Sequence, residues 1–106
     1  MCNNNTLLHQ TDLGYAVHCG GCNSIQVVFG NFSIKLSRID FSSLKKAVEF
    51  QLEAKKNLED PYHRCIYLSG WKNSIHLVFS LKELENFDSL LQQAAIAIDI
   101  KELMDH

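Results

Sequence analysis

Two thiols and an imidazole stand together near the start of this chain, in the run His18-Cys19-Gly20-Gly21-Cys22. Cysteines separated by two residues can place both sulfurs on one ion, and glycines between them let the backbone turn so that its amides face the thiolates. Structural zinc needs four ligands, yet a second Cys-x-x-Cys or a His-x-x-x-His is absent. The remainder must come from His18, His63, Cys65, His9 or Cys2. His63-Arg64-Cys65 is the best source, because it opens a second hairpin that can lie on a neighbouring strand. The expected metal set is therefore Cys19, Cys22, Cys65, His18 and His63, with zinc as the cofactor. The competing expectation is a glycine turn whose cysteines are small, half-buried residues without a ligand.

Other chemistries have weaker support. A thioredoxin-like dithiol puts its first cysteine at a helix N-terminus, where the dipole lowers the thiol pKa. Here Cys22 runs into Ser-Ile-Gln-Val-Val-Phe, a strand pattern, and Pro61, the only proline, follows a helix and offers no cis-proline partner. Hydrolysis needs a nucleophile, a base and an orienting carboxylate, and nothing in the spacing of His18, His63 and His76 fixes such a geometry. Phosphate-cradling Gly-x-Gly-x-x-Gly and Gly-x-x-x-x-Gly-Lys loops do not occur. No catalytic residue is assigned.

The elements that must position the turn are read from hydrophobic period. Tyr15 and Val17 lead into the cysteine turn, Ile25, Val27 and Phe29 follow it, and Gly30-Asn31 turns into Phe32, Ile34 and Leu36. Alternation of this kind predicts three strands in a meander. At Asp40 the period changes: Asp40 reads as an N-cap, and Phe41, Leu44, Val48 and Leu52 recur at helical spacing until Pro61 forces an end near Asn57 to Asp60. Ile66 and Leu68, a turn at Gly70 to Asn73, and Ile75, Leu77 and Phe79 predict a second hairpin. Ser80-Leu81-Lys82-Glu83 has capping-box spacing, and Leu84, Phe87, Leu91, Ala94 and Ile98, widened by Leu90, Ala97 and Met104, predict a long final helix.

The fold class follows as α+β. We expect a two-layer sandwich in the order βββαββα, with a five-stranded, mainly antiparallel sheet and both helices on one face. One domain spans 1–106, with an arm over 1–12, a first hairpin-helix half over 13–58 and a second over 62–106. The halves echo each other. Asn23-Ser24-Ile25-Gln26-Val27-Val28-Phe29 and Asn73-Ser74-Ile75-His76-Leu77-Val78-Phe79 differ only at their fourth and fifth places. Cys19 and Cys22 correspond there to Ser69 and Lys72, so a hairpin of this kind does not need thiols.

If Ile25, Val27, Phe29, Ile75, Leu77 and Phe79 face the helices, the opposite face carries Val28, Val78, Tyr67, Cys65 and Ala16 beside Gln26, His76, His18 and Lys35. A face so mixed points to association, with a homodimer as the simplest form.

Composition narrows the partners further. The 106 residues are 46% hydrophobic and 21% charged with a net charge of −2, enough for one shared core and no charge bias. Basic residues are scattered singly or in pairs, which argues against nucleic acid. The start, MCNNNTLLHQ, has no basic-then-apolar leader, and no run of about 18 apolar residues exists to span a membrane. The expected address is the cytoplasm, with all four cysteines reduced.

From Tyr15 to Phe50, the His-Cys-x-x-Cys turn, Ile-Gln-Val-Val-Phe-Gly-Asn and a helix opening Phe-Ser-Ser-Leu resemble small uncharacterised bacterial proteins, a Bacteroidetes-type family of unknown function. That resemblance implies no activity and no functional residues. The reading of function is a small cytoplasmic binding or interaction module, with structural zinc joining its hairpins; the alternative is a redox or metal-dependent enzyme using the Cys19/Cys22 dithiol.

Overall fold

The computed structural model describes residues 5–68 and 76–104. Four strands, β1 (Asn5–Gln10), β2 (Gly14–Cys19), β3 (Ser24–Phe29) and β4 (Phe32–Ser37), make an antiparallel sheet in chain order. Helix α1 (Arg38–Lys55) follows, then the short strands β5 (Ile66–Leu68) and β6 (Leu77–Phe79), and finally helix α2 (Leu81–Met104). The alternation in β2, β3 and β4 turns Ala16, Ile25, Val27, Phe29 and Leu36 toward the helices, where all are buried with Phe41, Leu44 and Val48 of α1 and Leu84, Phe87, Leu91 and Ala94 of α2. At about 25 cal/mol per Å² of apolar surface removed from water, this shared layer is the main stabilising term.

Two turns explain the sheet's tight connections. Thr11 Oγ1 accepts from the backbone N–H of Leu13 and of Gly14, each at 3.2 Å, closing the β1–β2 turn. Gly14 then enters β2 where a side chain would collide with the Val28 carbonyl, so only glycine fits. Between β3 and β4, Gly30 sits at φ +57, the left-handed region that glycine adopts without strain.

The expected architecture needs correcting on two points. First, β1 exists, where the sequence pattern left an arm. The reason is a register shift between Leu7 and His9. The extra residue is Leu8, which has no partner in the ladder and packs on the core beside His9, while Leu7, opposite Val17 on the other face, stays 55% exposed. A strand broken in this way shows no clean period of two.

Second, the five-stranded sheet is not formed. Among the described residues β5 and β6 pair only with each other, so β3 and β6 belong to separate sheets of four and two strands. The second hairpin joins the fold through side chains: Ile66, Leu68 and Phe79 belong to the same buried cluster as the first. Phe29 meets Phe87 at 5.0 Å and Phe79 at 6.3 Å between ring centroids, and Phe32 meets Phe79 at 6.1 Å. Both edges of β3 are already laddered, to β2 and β4, so neither is left for β6. The expected turn at Gly70 to Asn73 and the Ile75 end of the last strand lie outside the described residues.

Helix boundaries follow local chemistry closely. The capping box at α2 is present, with Ser80 N–H donating to Glu83 Oε1 at 2.9 Å and Glu83 N–H donating to Ser80 Oγ at 3.1 Å. For α1 the cap is Ser37 instead of Asp40: Ser37 Oγ accepts from Asp40 N–H at 3.1 Å, which puts Asp40 in the first turn, where its charge suits the helix dipole. The predicted stripe of α2 is buried as far as Ile98, but Met104 is 79% exposed because the helix runs past the sheet. Arg38, at the start of α1, holds that far end by bonding Asp99 at 2.7 Å and Glu102 at 2.8 Å.

Candidate functional site: the cysteine turn

The β2–β3 register pairs Cys19 with Ser24 and leaves Gly20 to Asn23 as the turn. Gly20, Gly21, Cys22 and Asn23 are exposed, whereas Cys19 is 7% and Ser24 9% accessible. Asn23 takes φ 52, a left-handed conformation that asparagine tolerates better than most residues. His18 Nε2 donates to Asn23 Oδ1 at 3.1 Å and so ties the end of β2 to the far side of the turn. The other ring nitrogen, His18 Nδ1, is buried without a hydrogen-bond partner among the described residues.

The cysteines themselves overturn an expectation. Cys19 and Cys22 are both disulfide-bonded, whereas Cys65 is free and exposed. Each sulfur forms one such bond, and pairing either of them with Cys2 would leave the other without a partner. The bond therefore joins Cys19 to Cys22 across the turn, and these two thiols are not reduced. Ser24 Oγ lies 3.0 Å from Cys22 Sγ. A disulfide sulfur has no proton to give, so the hydroxyl is the donor.

The five residues expected to hold zinc are distributed unequally. Cys19, Cys22 and His18 sit at the β2–β3 turn, although His18, opposite Ile25, faces the helices, while Cys19 faces the other way. Cys65 and His63 are exposed near the second hairpin. The Cys65 N–H donates to the Phe79 carbonyl at 3.1 Å, and the Phe79 ring packs on Phe29, the opposite end of β3 from Ser24. Six residues of strand separate those ends, about 17 Å. Among the described residues no three His, Cys, Asp or Glu side chains form a group that could hold a metal. Cys2, a further candidate ligand, lies outside the described residues.

The sheet face turned away from the helices is also revised. Its rows, read across the ladder, are Leu7, Val17, Gln26 and Lys35, then Gln10, Tyr15, Val28 and Ser33. Val28, Gln26 and Lys35 were expected there. Ala16 and His18 were too, but they face the helices, because β2 pairs them with Val27 and Ile25. Tyr67 and Val78 are opposite each other and 60% and 41% exposed, on the separate second hairpin.

The chain belongs to DUF6686, a family of unknown function, matched over residues 1–105. No curated protein and no solved structure matches it. Membership of this family brings no activity with it, so the chemistry rests on the side chains described above.

One cleft stands apart from the turn. About 430 Å³ in volume, it lies between the β3–β4 turn and the second hairpin, with Phe29, Phe32, Phe79, His76 and Arg64 among its walls. Its charges are already satisfied. Arg64 Nε and Nη2 reach the two oxygens of Glu83 at 3.0 and 2.8 Å, and that pairing holds the Glu83 carboxyl below its ordinary pKa and raises Arg64. Among the described residues no serine, threonine or cysteine lines it.

Sequence reasoning found the cysteines and missed their supports, Ser24 and Asn23. Asparagine directly after Gly-Gly-Cys was a readable signal, since a tight turn between strands asks for a residue that accepts positive φ.

Proposed function

We propose that this chain is a small, non-enzymatic binding module that works through the uncovered face of its four-stranded sheet, and that its partner there is a second copy of itself. The observation that supports this reading is the company of Leu7, Tyr15, Val17 and Val28 on that face, with Leu7 55% and Tyr15 40% exposed. Water in contact with such a patch is unfavourable, and a partner's apolar surface relieves it. A copy of the chain suits the face because its described strand residues carry one charge, Lys35, whose long stem lets the ammonium reach the rim. A two-fold axis through the patch then sets like against like without burying an unpaired charge.

Light scattering coupled to gel filtration tests this. The wild-type chain is expected at twice its own mass, and Val17→Lys at its own mass with an unchanged circular dichroism spectrum. A wild-type monomer at millimolar concentration would remove the reading. A bacterial cytoplasm is the address that accompanies it, and nucleic acid is not among the partners.

Zinc at Cys19 and Cys22 belongs to the same proposal only in the reduced state, since a thiolate binds the ion and a disulfide sulfur does not. Metal analysis of chain purified under reducing conditions, without chelator or histidine tag, decides it. One equivalent supports zinc, and less than about a tenth of an equivalent ends the idea.

A further inference from the structure

We propose that the β2–β3 turn is a thiol–disulfide exchange site, at which an external thiol attacks Cys22 and Cys19 is the sulfur that leaves. The two sulfurs differ in access. Cys22 is exposed, preceded by two glycines that carry no side chain to shield it, while Cys19 is 7% accessible. Exchange requires an in-line approach to one sulfur, so access selects Cys22. The surroundings fit that polarity. Ser24, itself held in place by burial, points its hydroxyl at Cys22 Sγ from 3.0 Å and donates equally well to a thiolate there. The His18–Asn23 bond fixes the residue after Cys22 in its left-handed conformation.

The step balances as follows in atoms and electrons. A thiolate RS⁻ forms a bond to Cys22 Sγ, the Cys19–Cys22 bond breaks, and its electron pair leaves on Cys19 Sγ, which takes a proton from water. A second RS⁻ then attacks the outer sulfur of the mixed disulfide. The electron pair leaves on Cys22 Sγ, stabilised by the Ser24 hydroxyl, and that thiolate takes a proton from water in turn. Two thiols are oxidised to RSSR, and the protein disulfide is reduced to a dithiol. The reductant is a thiol, and its two sources are a small thiol such as glutathione or a cysteine in an extended polypeptide.

The test uses the full-length wild-type protein, reacted with reduced glutathione in one arm and with an unstructured single-cysteine peptide in the other, acid-quenched and mapped by mass spectrometry. A mixed disulfide on Cys22 is expected in at least one arm, and the faster arm identifies the source. A Cys19→Ser variant should accumulate the Cys22 adduct when given glutathione disulfide, while Cys22→Ser should stay unlabelled at Cys19. Ser24→Ala is expected to slow release of the Cys22 thiolate about threefold to tenfold, the worth of one hydrogen bond, with Ser24→Thr restoring the rate. Adducts on Cys19, adducts on neither sulfur in either arm, or stoichiometric zinc that blocks both arms would overturn the assignment. The wild-type mapping needs no mutation, so a variant that fails to fold does not shelter the proposal.

Discussion

Phe29 and Phe79 end equivalent strands in the two hairpins, both are buried, and their rings meet at 6.3 Å. The strands behind them live differently. β3 is laddered on both sides, to β2 and β4, over six residues, whereas among the described residues β6 pairs only with β5 over three. The first hairpin carries a disulfide across its turn; in the second, the corresponding positions are Ser69 and Lys72. The difference teaches that one strand pattern supports two kinds of attachment. Backbone pairing secures the first hairpin in its sheet, whereas among the described residues the second is held to the fold chiefly by buried apolar side chains, with the Arg64–Glu83 pair beside them.

The largest effect tests whether the two phenylalanines are equal in energy as well as in place. Phe29→Ala and Phe79→Ala should each cost about 3–5 kcal/mol in urea unfolding, since each empties part of one aromatic cluster. The double variant should cost less than the sum, because the rings touch. A Phe79→Ala loss under about 1 kcal/mol would make the second hairpin peripheral and break the comparison.

Next comes the covalent difference. Removing the Cys19–Cys22 bond with Cys22→Ser should lower stability on the order of 2 kcal/mol, the chain-entropy value for so short a loop. Cys65→Ser, on the exposed free thiol of the second hairpin, should stay within about 0.5 kcal/mol of wild type. Equal effects, read by the same urea titration, would mean that the bond contributes nothing beyond the thiol it occupies.

A smaller effect compares the helices that follow the hairpins. Ser80→Ala removes one half of a reciprocal capping box from a buried residue and should cost about 1–2 kcal/mol. Ser37→Ala removes a single exposed cap and should cost about 0.5–1 kcal/mol, both read from thermal unfolding.

The smallest effect is electrostatic and belongs to the second hairpin alone. Glu83 has a folded pKa below its ordinary value, chiefly through its hydrogen bonds with Arg64. Its contribution is therefore complete above the ordinary carboxylate range and is lost as pH falls through the lowered folded value. Glu83→Gln should lower stability at neutral pH, where the carboxylate contributes fully, and converge on wild type in acid, which flattens part of the acid limb of a stability-against-pH curve. An acid limb identical to that of wild type would show that the pair is fully screened.

Much of this was legible in single residues. The alternation at Ile25, Val27 and Phe29, the helical stripe from Leu84 to Ile98 and the box at Ser80 and Glu83 all stand where their patterns put them, because each depends on neighbours within a few positions. The candidate site was half legible. Cys19 and Cys22 announced themselves by spacing, but Ser24 and Asn23 are ordinary letters whose role depends on where the turn aims them.

By itself, then, the amino-acid order determined the buried face of β3, the stripe of α2 and its start, and that two sulfurs meet in one bend. Tertiary structure alone decided three things: that β6 leaves the main sheet, that β1 bulges at Leu8, and that Cys65 sits at the wrong end of β3 to join the cysteine turn. Period and capping are local energies that a short segment expresses anywhere. Strand partnership and ligand geometry depend on how rings such as Phe29, Phe32 and Phe79 fill the space between segments far apart in the chain, and no local pattern encodes that volume.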